Sequence, residues 1–211
     1  MRYRPLGRTG LTVSEIGFGC ASYWGLPRFD EGEAARLVHR ALDLGVTLFD
    51  TAPGYSRGEA EPRLGRALQG RDLDHLVIAT KVGTFHAGGG RTGRDFSASA
   101  ITASVESSLR RLGLEHLGLV QLHGPAAAEL NDDLFAALER LRQRGLVTAF
   151  GANSFDPAVI AAVIAAPGLD VVMLDYNVLR PERGPLIDAA LAQGKGVLAG
   201  MGFVPEAFPE L

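Results

Sequence analysis

The 211-residue chain predicts an α/β fold in which a parallel sheet, covered by helices, curls into a (β/α) barrel behind an N-terminal β-hairpin. Three observations carry this. Short apolar strand patterns alternate with amphipathic helix patterns along the chain. No linker or low-complexity tract interrupts that beat. The glycine fingerprint that a doubly wound nucleotide fold needs after its first strand is incomplete: Gly17-Phe-Gly19-Cys-Ala-Ser22 has two glycines and then Ser22.

Residues 3–5 and 11–14 flank Gly7-Arg-Thr-Gly10 and read as a hairpin closed by a glycine turn. Residues 15–19 follow as a small buried strand. Over 30–44, Ala34, Leu37, Val38, Ala41 and Leu42 share one helical face, with Asp30 and Glu33 as a capping box and Gly45 as the stop. Next come a strand at 46–50, a helix at 59–68 and the buried strand Leu76-Val-Ile-Ala-Thr-Lys81. Helix 99–112 keeps Ile101, Val105, Leu109 and Leu112 in register. Strand 117–122 leads to a helix from Asn131 to about 143, closed by Gly145. Strand 147–152 leads to a helix opening Asp156-Pro157, a cap followed by proline at the first helical position. Strands 171–174 and 196–199 bracket a helix over 186–192. Gly88-Gly-Gly-Arg-Thr-Gly-Arg94 lacks the Gly-Lys-Ser/Thr ending of a phosphate-cradling loop and reads as a mobile surface loop.

These are seven βα beats in a single domain over 1–211. A full barrel takes about 250 residues. The expectation is therefore a TIM-type barrel truncated after about seven strands, its first and last strands left as edges for a second copy or the tail 203–211 to cover.

Composition narrows the functional classes. Apolar residues make up 46% and charged residues 21%, which is enough for a packed core. A net charge of −3 without a basic stripe argues against a nucleic-acid partner. Cys20 is the only cysteine, which excludes internal disulfides and Cys-cluster zinc sites, and no metal is expected. The start lacks the apolar core of a signal peptide, and no run approaches the ~18 apolar residues of a membrane span. A cytoplasmic protein without a membrane partner is expected.

Barrel chemistry gathers at the C-terminal ends of the strands. Reading those positions alone gives Asp50, Tyr55 in the loop after it, Lys81 and His123. Singly, Asp50 reads as a loop cap, Tyr55 as a half-buried aromatic and His123 as a hydrogen-bonded core histidine. Lys81 is harder to explain that way, because an ammonium ending an apolar strand must reach water or find an anion. His39, His75, His86 and His116 lie away from the strand ends and read as solvated. Together the first four suggest a tuned proton donor. A phenol titrates near 10 in water, and an ammonium within a few ångströms lowers that by ~1–3 units. Asp50 would anchor Lys81, and a neutral His123 would orient a substrate carbonyl toward Tyr55. No side chain supplies a hydride, so a nicotinamide cofactor, NADP or NAD, is implied.

The sequence at this point resembles the aldo-keto reductase family. The stretches that carry the resemblance are Tyr3-Arg-Pro-Leu-Gly-Arg-Thr-Gly-Leu-Thr-Val-Ser with Ile16-Gly-Phe-Gly, Leu48-Phe-Asp-Thr-Ala-Pro-Gly-Tyr55 with Glu61 and Leu64-Gly65, and Ala79-Thr-Lys-Val-Gly83. Ser107-Ser-Leu-Arg-Arg-Leu-Gly-Leu, His123 and Gly151-Ala-Asn-Ser-Phe continue it. The resemblance implies that Asp50, Tyr55, Lys81 and His123 hold the positions of the family's catalytic tetrad. It also implies that Tyr23 and Trp24 fall where the family lines its substrate pocket, although both also read as loop aromatics shielding the barrel mouth.

The cofactor side departs from the family pattern. Asn153-Ser154 reverses the usual Ser-Asn, Met173 stands where a glutamine is usual, and Ala199-Gly-Met-Gly202 lacks the stacking tyrosine of many members. The chain also stops before the family's basic adenosine-phosphate motif. The expected function is an NAD(P)H-dependent oxidoreductase acting on an aldehyde, ketone or sugar-like alcohol, with Asn153 and Ser154 toward the cofactor. The alternative is a shortened relative that has lost the nicotinamide and performs dehydratase, isomerase or lyase chemistry. A third reading, a non-enzymatic binding subunit, leaves the four polar residues without a purpose.

Overall fold

A computed structural model describes residues 1–21, 24, 26, 28–86 and 91–202. β1 (Tyr3–Pro5) and β2 (Thr12–Ser14) form the antiparallel hairpin that the glycine turn predicts. The main chain then alternates: β3 (Phe18–Gly19), α1 (Glu31–Asp43), β4 (Leu48–Asp50), α2 (Ala60–Leu68) and β5 (Val77–Val82). After β5 a second hairpin, β6 (Thr84–His86) and β7 (Thr92–Arg94), precedes α3 (Ala98–Leu112). The remaining elements are β8 (Leu117–His123), α4 (Asp132–Gln143), β9 (Val147–Asn153), α5 (Pro157–Ala165), β10 (Val171–Asp175), α6 (Gly184–Ala192) and β11 (Gly196–Gly200).

Seven strands form one parallel sheet in the order β11-β10-β9-β8-β5-β4-β3. Among these strands chain order equals spatial order. There is no reversal point of the kind a doubly wound sheet requires, so the winding is that of a (β/α) barrel. Side chains alternate between two cores because successive strand residues point to opposite faces. One core, between sheet and helices, packs Phe49, Ile78, Val120, Phe150 and Val172 with Val38, Leu64, Ile101, Leu138 and Ile160. The other lies on the inner face and joins Leu48, Val77, Ala79, Leu119, Ala149 and Val171 to Leu6 and Val13 of the N-terminal hairpin. The hairpin thus stops the end of the barrel opposite the strand C-termini.

Local signals in the sequence set the helix starts. Asp30 caps α1 by accepting from the Glu33 amide at 2.9 Å, and Asn131 caps α4 by accepting from the Leu134 amide at 3.0 Å. Asp156 caps α5 with Pro157 as the first helical residue. Among the described residues no helix is long and apolar enough to cross a membrane.

Three expectations need correction. The strand expected over 15–19 shrinks to Phe18–Gly19, because Ser14 and Thr47 exchange two side-chain hydrogen bonds at 2.8 and 2.9 Å instead of ladder bonds. Part of the expected surface loop is strand: Thr92–Arg94 pairs with Thr84–His86. His39 is half-buried, its Nε2 2.8 Å from the Ala67 carbonyl at the end of α2, rather than solvated. Tyr23, Gly88 to Gly90 and the tail 203–211 lie outside the described residues.

The stopper is tied down where a glycine is required. Gly7 has φ +58°, and a Cβ there would lie 2.2 Å from the Gly196 nitrogen. Gly7→Ala is expected to destabilise the fold by about 1–3 kcal/mol, read as a lower urea midpoint.

Candidate active site

Strand alternation assembles the site. On the inner face Ala79 is followed by Lys81 on β5, and Leu119 by Gln121 and His123 on β8, while Asp50 ends β4. Register brings them level: Asp50 pairs with Ala79, Lys81 with Gln121, and His123 with Asn153. The lower inner face is apolar and the upper inner face polar.

Lys81 is the centre of the cluster. Its side chain is 1% exposed, and its Nζ donates to Asp50 Oδ2 at 2.6 Å and to the Thr51 carbonyl at 2.9 Å. The same Nζ lies 4.8 Å from the centroid of the Tyr55 ring and engages its hydroxyl. Burial works against the charge, but the Asp50 carboxylate and then the Tyr55 phenol outweigh it and hold the ammonium above its ordinary range. Lys81 is a cation in the folded protein.

Asp50 is positioned from its other side. Gln121, fully buried, donates Nε2 to Asp50 Oδ1 at 2.9 Å. A carboxylate accepts and never donates, so the amide must face it with nitrogen. That leaves Gln121 Oε1 buried without a partner among the described residues. Sequence reading missed Gln121, although its parity with His123 two residues on places it on the inner face.

Tyr55 and His123 meet edge to face, with ring centroids 6.0 Å apart. The residues after Tyr55 hold an uncommon backbone: Ser56 and Arg57 take φ +55° and +61°, and Gly58 follows at +96°. Left-handed geometry at two non-glycine residues is strained, and here it fixes the turn that presents the phenol. His123 Nδ1 is 2.6 Å from Thr84 Oγ1. Burial first, then the charges of Lys81 and Arg94, push its imidazole down to about 4, so it is neutral near pH 7.

The model of the Aldo/keto reductase family matches residues 15–204. The chain belongs to the aldo/keto reductase family. Over 192 residues it is 33% identical to the uncharacterized oxidoreductase YqkF of Bacillus subtilis, covering 89% of this chain and 61% of that protein. Over 220 residues it is 31% identical to a D-threo-aldose 1-dehydrogenase of a Pseudomonas species, covering 92% and 67%. The holo form of an aldo-keto reductase from Bacillus halodurans superimposes with a TM-score of 0.83 at 35% identity, covering 94% of this chain and 65% of that one. The chain therefore spans about three fifths to two thirds of these aldo/keto reductase relatives.

The other expected site residues divide. Asn153 sits beside His123 in register; its Oδ1 accepts from the Gly124 amide at 3.1 Å, and its Nδ2 has no partner among the described residues. Ser154 is 8% exposed and its Oγ accepts from the Asp156 amide at 3.1 Å, so its oxygen serves the start of α5. Trp24 is buried. It is 5% exposed, donates its indole N–H to the Ala34 carbonyl at 3.2 Å and carries the Arg63 guanidinium over its ring. An indole N–H needs an acceptor when buried, and the helix carbonyl provides one. Burial raises the Cys20 thiol, which leaves it protonated and inert.

The low imidazole value has a sign that can be measured. The unfolded chain takes up a proton near 6.5, whereas folded His123 resists until about 4. The stability that neutral His123 allows is full above the first value and is lost as pH falls toward the second. Urea midpoints of the wild type should fall between about pH 7 and about pH 4.5, and His123→Gln should lose less over that interval.

Proposed function

We propose that this chain carries the catalytic face of an NAD(P)H-dependent oxidoreductase that reduces a small aldehyde or ketone, or oxidises a sugar-like alcohol in reverse. The observation that carries the reading is the convergence of a buried, paired Lys81 ammonium on the Tyr55 phenol beside a neutral His123. Sugar-dehydrogenase naming of the Pseudomonas relative supports the redox chemistry over the non-redox alternative.

The residues at the strand ends fit the carboxamide end of a nicotinamide. Asn153 has an amide N–H pair without a partner among the described residues, and the neighbouring Met173, packed near Gly200, offers a soft apolar surface. A bound nicotinamide supplies or accepts the hydride at the carbonyl carbon. The remaining steps belong to side chains of this protein. His123 holds the carbonyl oxygen and aims it at Tyr55. Tyr55 gives its hydroxyl proton to that oxygen as negative charge builds there, completing the alcohol. Lys81 stabilises the charge left on the phenolic oxygen, and Asp50, clamped by Gln121, keeps the ammonium in place. Water then restores the Tyr55 proton.

Tyr55→Phe removes only the reacting hydroxyl. It should lower carbonyl turnover at least about 100-fold while circular dichroism and the urea midpoint stay near wild type. An active phenylalanine variant would remove Tyr55 from the mechanism. Calorimetric titration with NADPH and NADH tests the cofactor side, and a folded protein that binds neither would return the weight to the non-redox alternative.

The same reading places the protein in the cytoplasm with a small-molecule carbonyl as its partner. Within the described sheet β3 and β11 are the edge strands, and their free backbone groups suit pairing with a second copy. Light scattering after size exclusion should give twice the mass of one chain; a monomer at high concentration would sink this pairing.

A further inference from the structure

His123 is neutral under ordinary conditions, so its ring carries a single proton, and the nitrogen that holds it decides what the ring offers a substrate. With the proton on Nε2, the nitrogen opposite the Thr84 contact is a donor suited to a carbonyl oxygen. With the proton on Nδ1, the same Nε2 is a lone pair that repels such an oxygen.

Hydrogen-bond accounting separates the two forms. Nδ1 lies 2.6 Å from Thr84 Oγ1, and that hydroxyl has no second partner among the described residues. If Nδ1 donated, the Thr84 O–H would have no protein acceptor among the described residues and would have to turn to solvent from a half-buried position. If Thr84 donates, one bond satisfies both groups and the ring proton is left to Nε2.

The backbone makes this contact a built feature. Gly83 turns the chain at the end of β5 with φ +91°, and a Cβ there would lie 2.1 Å from the Phe96 ring. β6 then folds back, held by β7 with Thr84 opposite Arg94, so that Thr84 meets His123 at the end of β8. Arg94 is itself tied to Glu129 at 2.9 Å, which anchors the hairpin from outside.

We propose that Thr84 is a positioning residue that donates its hydroxyl proton to His123 Nδ1 and locks the Nε2–H tautomer, the form that holds a carbonyl oxygen beside Tyr55. The purpose of this lock rests on the oxidoreductase reading, whereas its existence can be tested without any substrate. Long-range proton–nitrogen spectra of the 15N-histidine-labelled protein report the tautomer directly, with His123→Gln identifying the signals of this ring among the five histidines. The wild type and Thr84→Ser should both show a protonated-type Nε2 and an unprotonated-type Nδ1 at neutral pH. In Thr84→Val, which has no proton to give, the two nitrogen shifts should move toward each other. With a carbonyl substrate in hand, Thr84→Val should lower kcat about fivefold to tenfold, with recovery in Thr84→Ser. A protonated Nδ1 in the wild type overturns the proposal, and so does an unchanged ring in Thr84→Val. If the valine variant does not fold, the wild-type and serine spectra decide alone. Loss of the Tyr55 reading would leave these spectra untouched, so the two failures are distinguishable.

Discussion

A lysine ammonium that is 1% exposed must be matched by an anion and by acceptors, and the upper inner face is organised around that requirement. Asp50 and the Thr51 carbonyl receive two of its protons, and the Tyr55 hydroxyl is drawn toward the same nitrogen. The charge then acts on its surroundings. With burial as the larger cause, it helps keep His123 neutral, so a cation on the adjacent strand contributes to what kind of group that imidazole is. Burial of the ion pair adds little to stability by itself, because desolvating two charges offsets most of their attraction. Its value lies in fixed geometry: a cation that is partnered on three sides has one place to be.

The fold was largely legible because it rests on periodicities. Strand parity and helix faces require only the alternation of apolar residues, and caps such as Asp30, Asn131 and Asp156 announce themselves by residue type. Asp50, Lys81 and His123 were legible for a related reason: a polar residue ending an apolar strand in a barrel faces the mouth. Gln121 obeys the same rule one step lower on its strand and was passed over because an amide within a strand carries no charge to draw attention.

What stayed hidden depends on contacts distant in sequence. Thr84 reaches His123 only because Gly83 reverses the chain, and nothing in Lys81-Val-Gly-Thr states where that reversal leads. Trp24 reads from sequence both as pocket lining and as an aromatic shielding the mouth, and its contacts with the Ala34 carbonyl of α1 and the Arg63 side chain of α2 are visible only in the fold. Ser154 reads toward a cofactor, and the structure adds that its oxygen accepts from the Asp156 amide at the start of α5. In each case the residue type was suggestive and the partner was not stated by the sequence. The strained turn after Tyr55 belongs with these: Ser56 and Arg57 are ordinary residues in letters and uncommon ones in backbone angle.

The N-terminal hairpin closes the far end of the barrel with Leu6 and Val13, packed among Leu48, Val77, Leu119 and Val171. The polar cluster therefore sits over a dry, solid plug instead of a channel. Anything approaching from the hairpin end would have to displace that plug, so among the described residues the far end offers the buried ammonium no route to solvent.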